Sequence, residues 1–193
     1  LSGKTAVDFG SGEPYIQYKQ IFDNNYINDD YGFVLIKKDE NQSKVKYGDV
    51  LFTTSSETPD EVAMSSVFLT KRNENIYLNS FSFGFRINSF NIFNPQFARF
   101  FLRSYPLRKK IFPLAQGSTR YNISKLELMK LKIHLPTLPE QEKIADFLSA
   151  VESRVQKLGE KLEALKRYKK GVMQQIFSQE IRFKDDRGNP FPN

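Results

Sequence analysis

Three short segments carry side chains that suit the edges of nucleobases and the phosphates around them. Gly117-Ser118-Thr119-Arg120-Tyr121-Asn122 joins hydroxyl, amide and guanidinium groups in a turn-forming loop whose small residues let the backbone approach closely. Lys4 and Thr5, then Gln17, Tyr18, Lys19 and Gln20 just after a candidate strand, form a second set. Ser55 and Ser56, with Lys71 and Arg72 further along, form a third. Arg and Lys pair with guanine or phosphate, Asn and Gln with adenine, and Ser or Thr with either. Arg103, Arg108, Lys109 and Lys110 add a cationic run suited to phosphate. A plainer reading stands beside each: polar loops are common, Tyr18 and Tyr121 can cap a core, and a cationic run can be a solvated helix face.

Bond-making chemistry finds little footing. His134 is the single histidine and cysteine is absent, which leaves no thiolate or multi-histidine metal site and no disulfide scaffold. Phe9-Gly10-Ser11-Gly12-Glu13-Pro14 has the start of a nucleotide-binding loop but no third glycine, and Pro14 bars the helix that should follow. Pro59-Asp60-Glu61 offers carboxylates without the Glu-x-Lys or Asp-x-Lys of a nuclease. Catalysis by this chain is not expected. No run is long and apolar enough to span a bilayer, and no signal-peptide pattern opens the chain, so a cytoplasmic protein with no membrane partner is expected.

Charge sharpens the partner. The net value is +7, but residues 1–75 hold 8 Lys/Arg against 12 Asp/Glu, whereas residues 76–137 hold 10 against Glu127 alone. A basic block of that density points to a polyanion, nucleic acid first.

The elements that must hold these groups can be read from pattern. Tyr15–Tyr18, Phe33–Lys37, Val45–Thr53, Val62–Thr70 and Ile76–Ile87 are β-branched and aromatic runs divided by Gly, Asp and Asn, the mark of short strands. Phe81, Phe83, Phe85 and Ile87 recur at period two and should bury one sheet face. Asn94-Pro95 should cap and begin a helix carrying Phe97, Phe100 and Phe101, with a second short helix over Leu107–Phe112. Ser124-Lys125-Leu126-Glu127 has capping-box spacing, and Leu131–Leu135 reads as a last strand.

The longest signal is a helix from Thr137 to Phe177. Leu148, Val151, Val155, Leu158, Leu162, Leu165, Val172 and Ile176 recur at alternating steps of three and four, interrupted only by Lys169. Sustained 3.5-residue spacing is a coiled-coil seam, which buries itself against another helix. Gly159 and Gly171 each weaken the helix by about 1 kcal/mol relative to Ala. The expected class is α+β: a mixed, β-rich domain with short helices over 1–136, a long pairing helix over 137–178, and a polar tail over 179–193.

LPTLPEQEKIADFLSAVESRVQKLGEKLEALKRYKKGVMQQIF closely resembles the helical region of type I restriction-modification specificity subunits. YGDVLFTTSS (47–56), SFGFRI (82–87), FARFFLRS (97–104), QGSTRYNIS (116–124) and LKIHLPTLPEQ (131–141) fall in that family's order, so the resemblance covers nearly the whole chain. It implies a target recognition domain that reads half of an interrupted double-stranded DNA site, on a helix that packs antiparallel as a spacer and docks methyltransferase subunits. It also implies that S-adenosylmethionine binds those partners and not this chain, and that cleavage belongs to a restriction and motor subunit. Such methyltransferases resemble an Asn/Asp-Pro-Pro-Tyr/Phe pattern; Asn94-Pro95-Gln96-Phe97 lacks its second proline. The family usually shows two recognition domains and two helices, and this chain holds one of each. Either a homodimer or the second half of a longer chain would complete the pair. The rival reading is a coiled-coil adaptor with a basic patch that binds nucleic acid without regard to sequence.

Overall fold

Short strands dominate the first half of the computed structural model, which describes residues 1–191. They are β1 (Phe9–Ile16), β2 (Gly32–Val34), β3 (Lys44–Val45), β4 (Asp49–Thr53), β5 (Ser55–Ser56), β6 (Ser65–Val67), β7 (Ile76–Leu78), β8 (Ser82–Arg86), β9 (Ala115–Gln116) and β10 (Tyr121–Ile123). Helices α1 (Tyr18–Asp23), α2 (Pro95–Phe101), α3 (Tyr105–Ile111), α4 (Lys125–Met129) and α5 (Leu138–Phe177) complete an α+β chain. Three small sheets result, ordered β2-β1-β7-β3, β6-β4-β8 and β5-β10-β9; β1 and β7 run parallel, while the other pairs are antiparallel.

The expected runs are shortened or split where the backbone must turn. Val45–Thr53 breaks at Gly48, whose φ of 85° and proximity to the Phe90 ring exclude a side chain. Ile76–Ile87 breaks after β7 because the buried Asn79 amide donates to the Ile16 carbonyl (3.0 Å) and accepts from the Phe81 amide (2.8 Å). Val62–Thr70 keeps only β6, and Phe33–Lys37 pairs only near its start, as β2. Tyr15–Tyr18 ends as a strand at Ile16, since Tyr18 begins α1. Leu131–Leu135 corrects the expected last strand: Leu131, Ile133 and Leu135 pack alternately on the main core, but no strand pairs with them among the described residues.

Strand β4 separates two cores. It is buried along its whole length, and its alternation sends Val50 and Phe52 into one cluster and Leu51 into the other. Phe52 stacks with Phe83 and Phe85 at centroid distances of 5.7 and 5.8 Å, so the period-two pattern of β8 finds its partner. Phe81, which should have shared that face, is exposed, and Ile87 is buried.

Helix starts follow the expected chemistry. Asn94 Oδ1 accepts from the amides of Gln96 (2.8 Å) and Phe97 (3.2 Å), and Ser124 Oγ accepts from Glu127 (3.4 Å). Glu127 does not complete the capping box: its carboxylate pairs with Lys130 at 2.6 Å.

The chain divides into two compact units, Leu1–Ala145 and Asp146 onward. The first includes the opening turns of α5 because Gln141 and Ala145 are buried in it. Gln141 Oε1 accepts from the Asn94 amide (2.9 Å), while Nε2 donates to the carbonyls of Ile92 and Pro136 (both 2.9 Å). In the second unit, Val151, Val155, Leu158, Leu162 and Leu165 lie exposed along the helix, with Leu148, Val172 and Ile176 half-buried. Within the tail expected over 179–193, residues 185–189 form a turn in which the Asp185 carboxylate accepts from the Asn189 and Arg187 amides. Pro192 and Asn193 lie outside the described residues. No helix among those described is long and apolar enough to cross a membrane.

Gln141 is the clearest test of this packing. Gln141→Leu keeps the volume but strands one amide and two carbonyls, and should cost about 2–4 kcal/mol of stability. Urea unfolding checks it; a loss below about 1 kcal/mol would show that these groups find other partners.

Candidate nucleic-acid interface

The hairpin β9–β10 presents the first candidate loop. Asn122 pairs with Gln116 and Ile123 with Ala115, leaving Gly117–Arg120 as the turn. Gly117 adopts a φ of 125°, and a Cβ there would collide with the Arg120 carbonyl, so only glycine closes the turn without strain. Ser118, Thr119, Arg120 and Asn122 are exposed, while Tyr121 packs against the main core. The loop therefore offers hydroxyl, guanidinium and amide groups on a backbone fixed by pairing at both ends.

The opposite edge of β10 pairs with β5, matching Tyr121 to Ser56 and Asn122 to Ser55. The Ser55 carbonyl in turn accepts from the Tyr18 hydroxyl at 2.6 Å. Burial raises the Tyr18 phenol above its ordinary pKa, and the positive charge of Arg120 opposes that shift, which puts the two within electrostatic reach. Tyr18 thereby ties the start of α1 to the sheet that holds the hairpin, while its neighbours Gln17 and Lys19 are exposed, the Gln17 amide lying beside Gly32 of β2. Segments far apart in the chain meet here, and nothing in their local sequence announces the meeting.

Several expected contacts are corrected by burial. Gln20 is buried, and its amide donates to the Asn28 carbonyl at 2.8 Å. Ser55 and Ser56 are buried, with the Ser56 hydroxyl donating to the Thr58 carbonyl. The side chain of Lys4 is only 3% exposed against Glu40, and the Thr5 hydroxyl donates to Asp8 at 3.0 Å. Lys71 sits over the Tyr47 ring at 5.2 Å, and Arg72 pairs with Asp29 at 2.7 Å; no contact among the described residues ties these two to the hairpin.

The cationic run divides in two. Arg103 Nε donates to the Ser65 carbonyl (2.6 Å), and its Nη2 reaches the carbonyls of Ile21, Phe22 and Asn24 at 2.7–2.9 Å. Arg108 donates to the carbonyls of Asp60, Val62 and Ala63 at 2.5–2.8 Å. Burial, with the like charge of Arg108 second, brings Arg103 down to about 10; burial lowers Arg108 too. At neutral pH Arg103 stays protonated, and both side chains point into the protein as donors, so neither reaches a phosphate. Lys109 and Lys110 remain exposed, Lys109 lying 4.6 Å from the Tyr105 ring centroid.

Block-wise charge overstates this surface. Among the 10 cations of residues 76–137, Arg103 and Arg108 are internal, Arg99 lies buried over Phe100 and Tyr26, and Arg86 is clamped by Asp49 at 2.7 and 2.8 Å. The acidic first segment meanwhile exposes Lys44 and Lys46, which no motif marks; their period-two spacing is the one signal that could have found them. His134 is exposed, and no group of residues that could hold a metal ion occurs among those described. Gly10 and Gly12 lie within β1 and form no phosphate loop, and Asn94 serves as a helix cap.

Comparisons with known proteins agree with this architecture. Residues 8–167 match the family model described as the type I restriction modification DNA specificity domain. The chain is 26% identical over 174 residues to the putative MjaX type I restriction enzyme specificity subunit of Methanocaldococcus jannaschii, covering 88% of this chain and 40% of that one. The S subunit of a type I restriction-modification system from M. genitalium superposes with a TM-score of 0.54 at 17% identity, covering 90% of this chain and 44% of that one. A chain from a structure addressing complex assembly and conformational transition of the type I R-M system gives 0.58 at 18% identity, covering 90% and 41%. These two share the fold, and this chain spans about two-fifths of the length of the relatives it matches.

The split of the cationic run predicts unequal stability effects. Arg103→Gln or Arg108→Gln should lower the thermal midpoint by about 5 °C or more, through carbonyls left without donors. Lys109→Ala with Lys110→Ala should stay within roughly 0.5 kcal/mol of the parent. Differential scanning calorimetry separates the cases, and equal effects from both pairs would contradict the assignment.

Proposed function

The chain belongs to the type I restriction modification DNA specificity domain family, and on that premise we propose that it reads one half of an interrupted DNA site. The supporting observation is the β9–β10 hairpin: an exposed run of side chains suited to base edges, on a backbone held by β5 and backed by Tyr18. Arg120 suits guanine, Asn122 and Gln17 suit adenine, and Ser118 and Thr119 adapt to either. Tyr18 and Tyr121 brace this surface from beneath. Lys109 and Lys110 supply sequence-independent attraction to phosphate.

In this reading the chain contributes no catalytic group. Methyl transfer, with its S-adenosylmethionine, and DNA cleavage fall to partner subunits docked on it. The seam from Leu148 to Ile176 carries the assembly: an apolar row of that length is stabilised by a second helix, supplied by another copy or by a further part of a longer chain. At 40 residues α5 is about 60 Å long, more than the roughly 34 Å of one DNA turn, so paired helices can hold two readers with unread bases between them. A self-paired chain should prefer a palindromic interrupted site.

Methylome sequencing of cells expressing the chain with its methyltransferase tests the reading directly. Arg120→Ala and Asn122→Ala should each relax the methylated site at one or two positions within a half-site and weaken binding by about 1–3 kcal/mol. Methylation at unchanged sites in both variants would refute the hairpin as reader. Loss of all preference between specific and scrambled duplexes in the parent would favour an adaptor.

The seam makes its own prediction. Lys169→Leu removes a charge from an apolar row and should give tighter but less register-specific pairing. Sedimentation equilibrium and thermal melting check this; identical association and midpoint would place Lys169 off the interface.

A further inference from the structure

Strand β3 lies at the outer edge of its sheet, and two clefts share its residues. The first, of about 370 Å³, is lined by Lys44, Leu78, Ser82, Gly84, Arg86 and Lys125. Arg86 is neutralised there by the Asp49 carboxylate, whereas Lys44 and Lys125 are exposed and have no carboxylate partner among the described residues. The Ser82 hydroxyl has no hydrogen-bond partner either. The second cleft, of about 470 Å³, is lined by Lys44, Lys46, Tyr47, Lys71, Arg72 and Glu74. Arg72 is offset by Asp29 and Glu74, which leaves Lys46 and Lys71 uncompensated.

Lys44 on β3, Lys46 just past it, and Lys71 and Lys125 across the two clefts thus form a group of four lysines without carboxylate partners among the described residues. Successive positions on the same side of a strand are about 7 Å apart, two steps of the roughly 3.4 Å axial rise of a DNA strand. The group also abuts the reading hairpin. Lys125 begins α4 two residues beyond β10, and the Phe81 carbonyl beside Ser82 accepts from the amide of Thr54, whose own carbonyl accepts from Ile123. A linear polyanion beside the read bases fits this arrangement better than a compact anion, because the positive charge spans two adjoining clefts.

We propose that Lys44, Lys46, Lys71 and Lys125 track the phosphate backbone of duplex DNA next to the read half-site, an inference that rests on the reading function above. They hold register and contribute no base recognition. The test is a salt titration of the full chain on a random-sequence duplex, comparing the parent with Lys44→Ala/Lys46→Ala/Lys125→Ala and with the matching triple Lys→Arg variant. The alanine variant should reduce the steepness of log K against log salt by about 2–3, near 0.9 for each phosphate no longer neutralised, and the arginine variant should keep the parental slope. Thermal midpoints should agree, since all three side chains are exposed. A parental slope in the alanine variant overturns the proposal, as does a changed preferred sequence in selection from a random duplex library. A parent that selects no sequence defeats the reading function instead, and the slopes then judge phosphate tracking by themselves.

Discussion

The recognition unit depends on β4, a strand with no solvent face. Because consecutive side chains leave a strand on opposite sides, Asp49–Thr53 must satisfy two cores at once, with Val50 and Phe52 on one side and Leu51 on the other. Its polar ends are equally committed. Asp49 accepts from the Lys46 amide and grips Arg86, and the Thr53 hydroxyl accepts from the Met64 amide. One residue further, the Thr54 carbonyl takes the Ile123 amide. The hairpin is therefore fixed to the most buried strand through a short chain of backbone bonds. A one-residue slip of β4 would exchange the two cores and displace the hairpin with them.

Small sheets with long irregular connections create a second problem. Many carbonyls near the core have no ladder partner, and a buried carbonyl without a donor costs roughly 1–3 kcal/mol. Arg103 and Arg108 answer this with their forked donors, closing the segments around Ile21–Asn24, Asp60–Ala63 and Ser65. Gln141 does the same with an uncharged amide. In residues 76–137, Arg86, Arg99, Arg103 and Arg108 are committed to structure, which leaves Arg120 and the exposed lysines of that block. Counting charge by segment misplaces the cationic surface.

How much was legible follows from the range of each interaction. Asn94 and Ser124 were recognisable as caps because capping acts over three residues, and the seam of α5 because its period repeats turn after turn. The hairpin loop was legible from its glycine and polar run. Leu131–Leu135 shows the limit: its alternation reflects packing on one core, but strand identity needs a neighbour that no local pattern supplies. The inward turn of Arg103 and Arg108 was equally invisible, since their acceptors lie some 38 to 82 residues away. The hydrogen bond from Tyr18 to Ser55, which ties the start of α1 to the hairpin's sheet, shares that cause.

Under the proposed function, a reader on a hairpin turn separates specificity from stability. Ser118, Thr119 and Arg120 touch no core cluster, so their replacement should alter which bases are favoured at little cost to folding. Gly117 cannot vary in the same way, because the turn closes only without a side chain. The seam obeys the opposite rule. Under the proposed pairing, each apolar residue covered by a second helix contributes about 1.5–3 kcal/mol, so changes there act on assembly before they act on any base. On the proposed reading, the favoured sequence can change through a few turn residues while β4, the inward arginines and the long helix stay as they are.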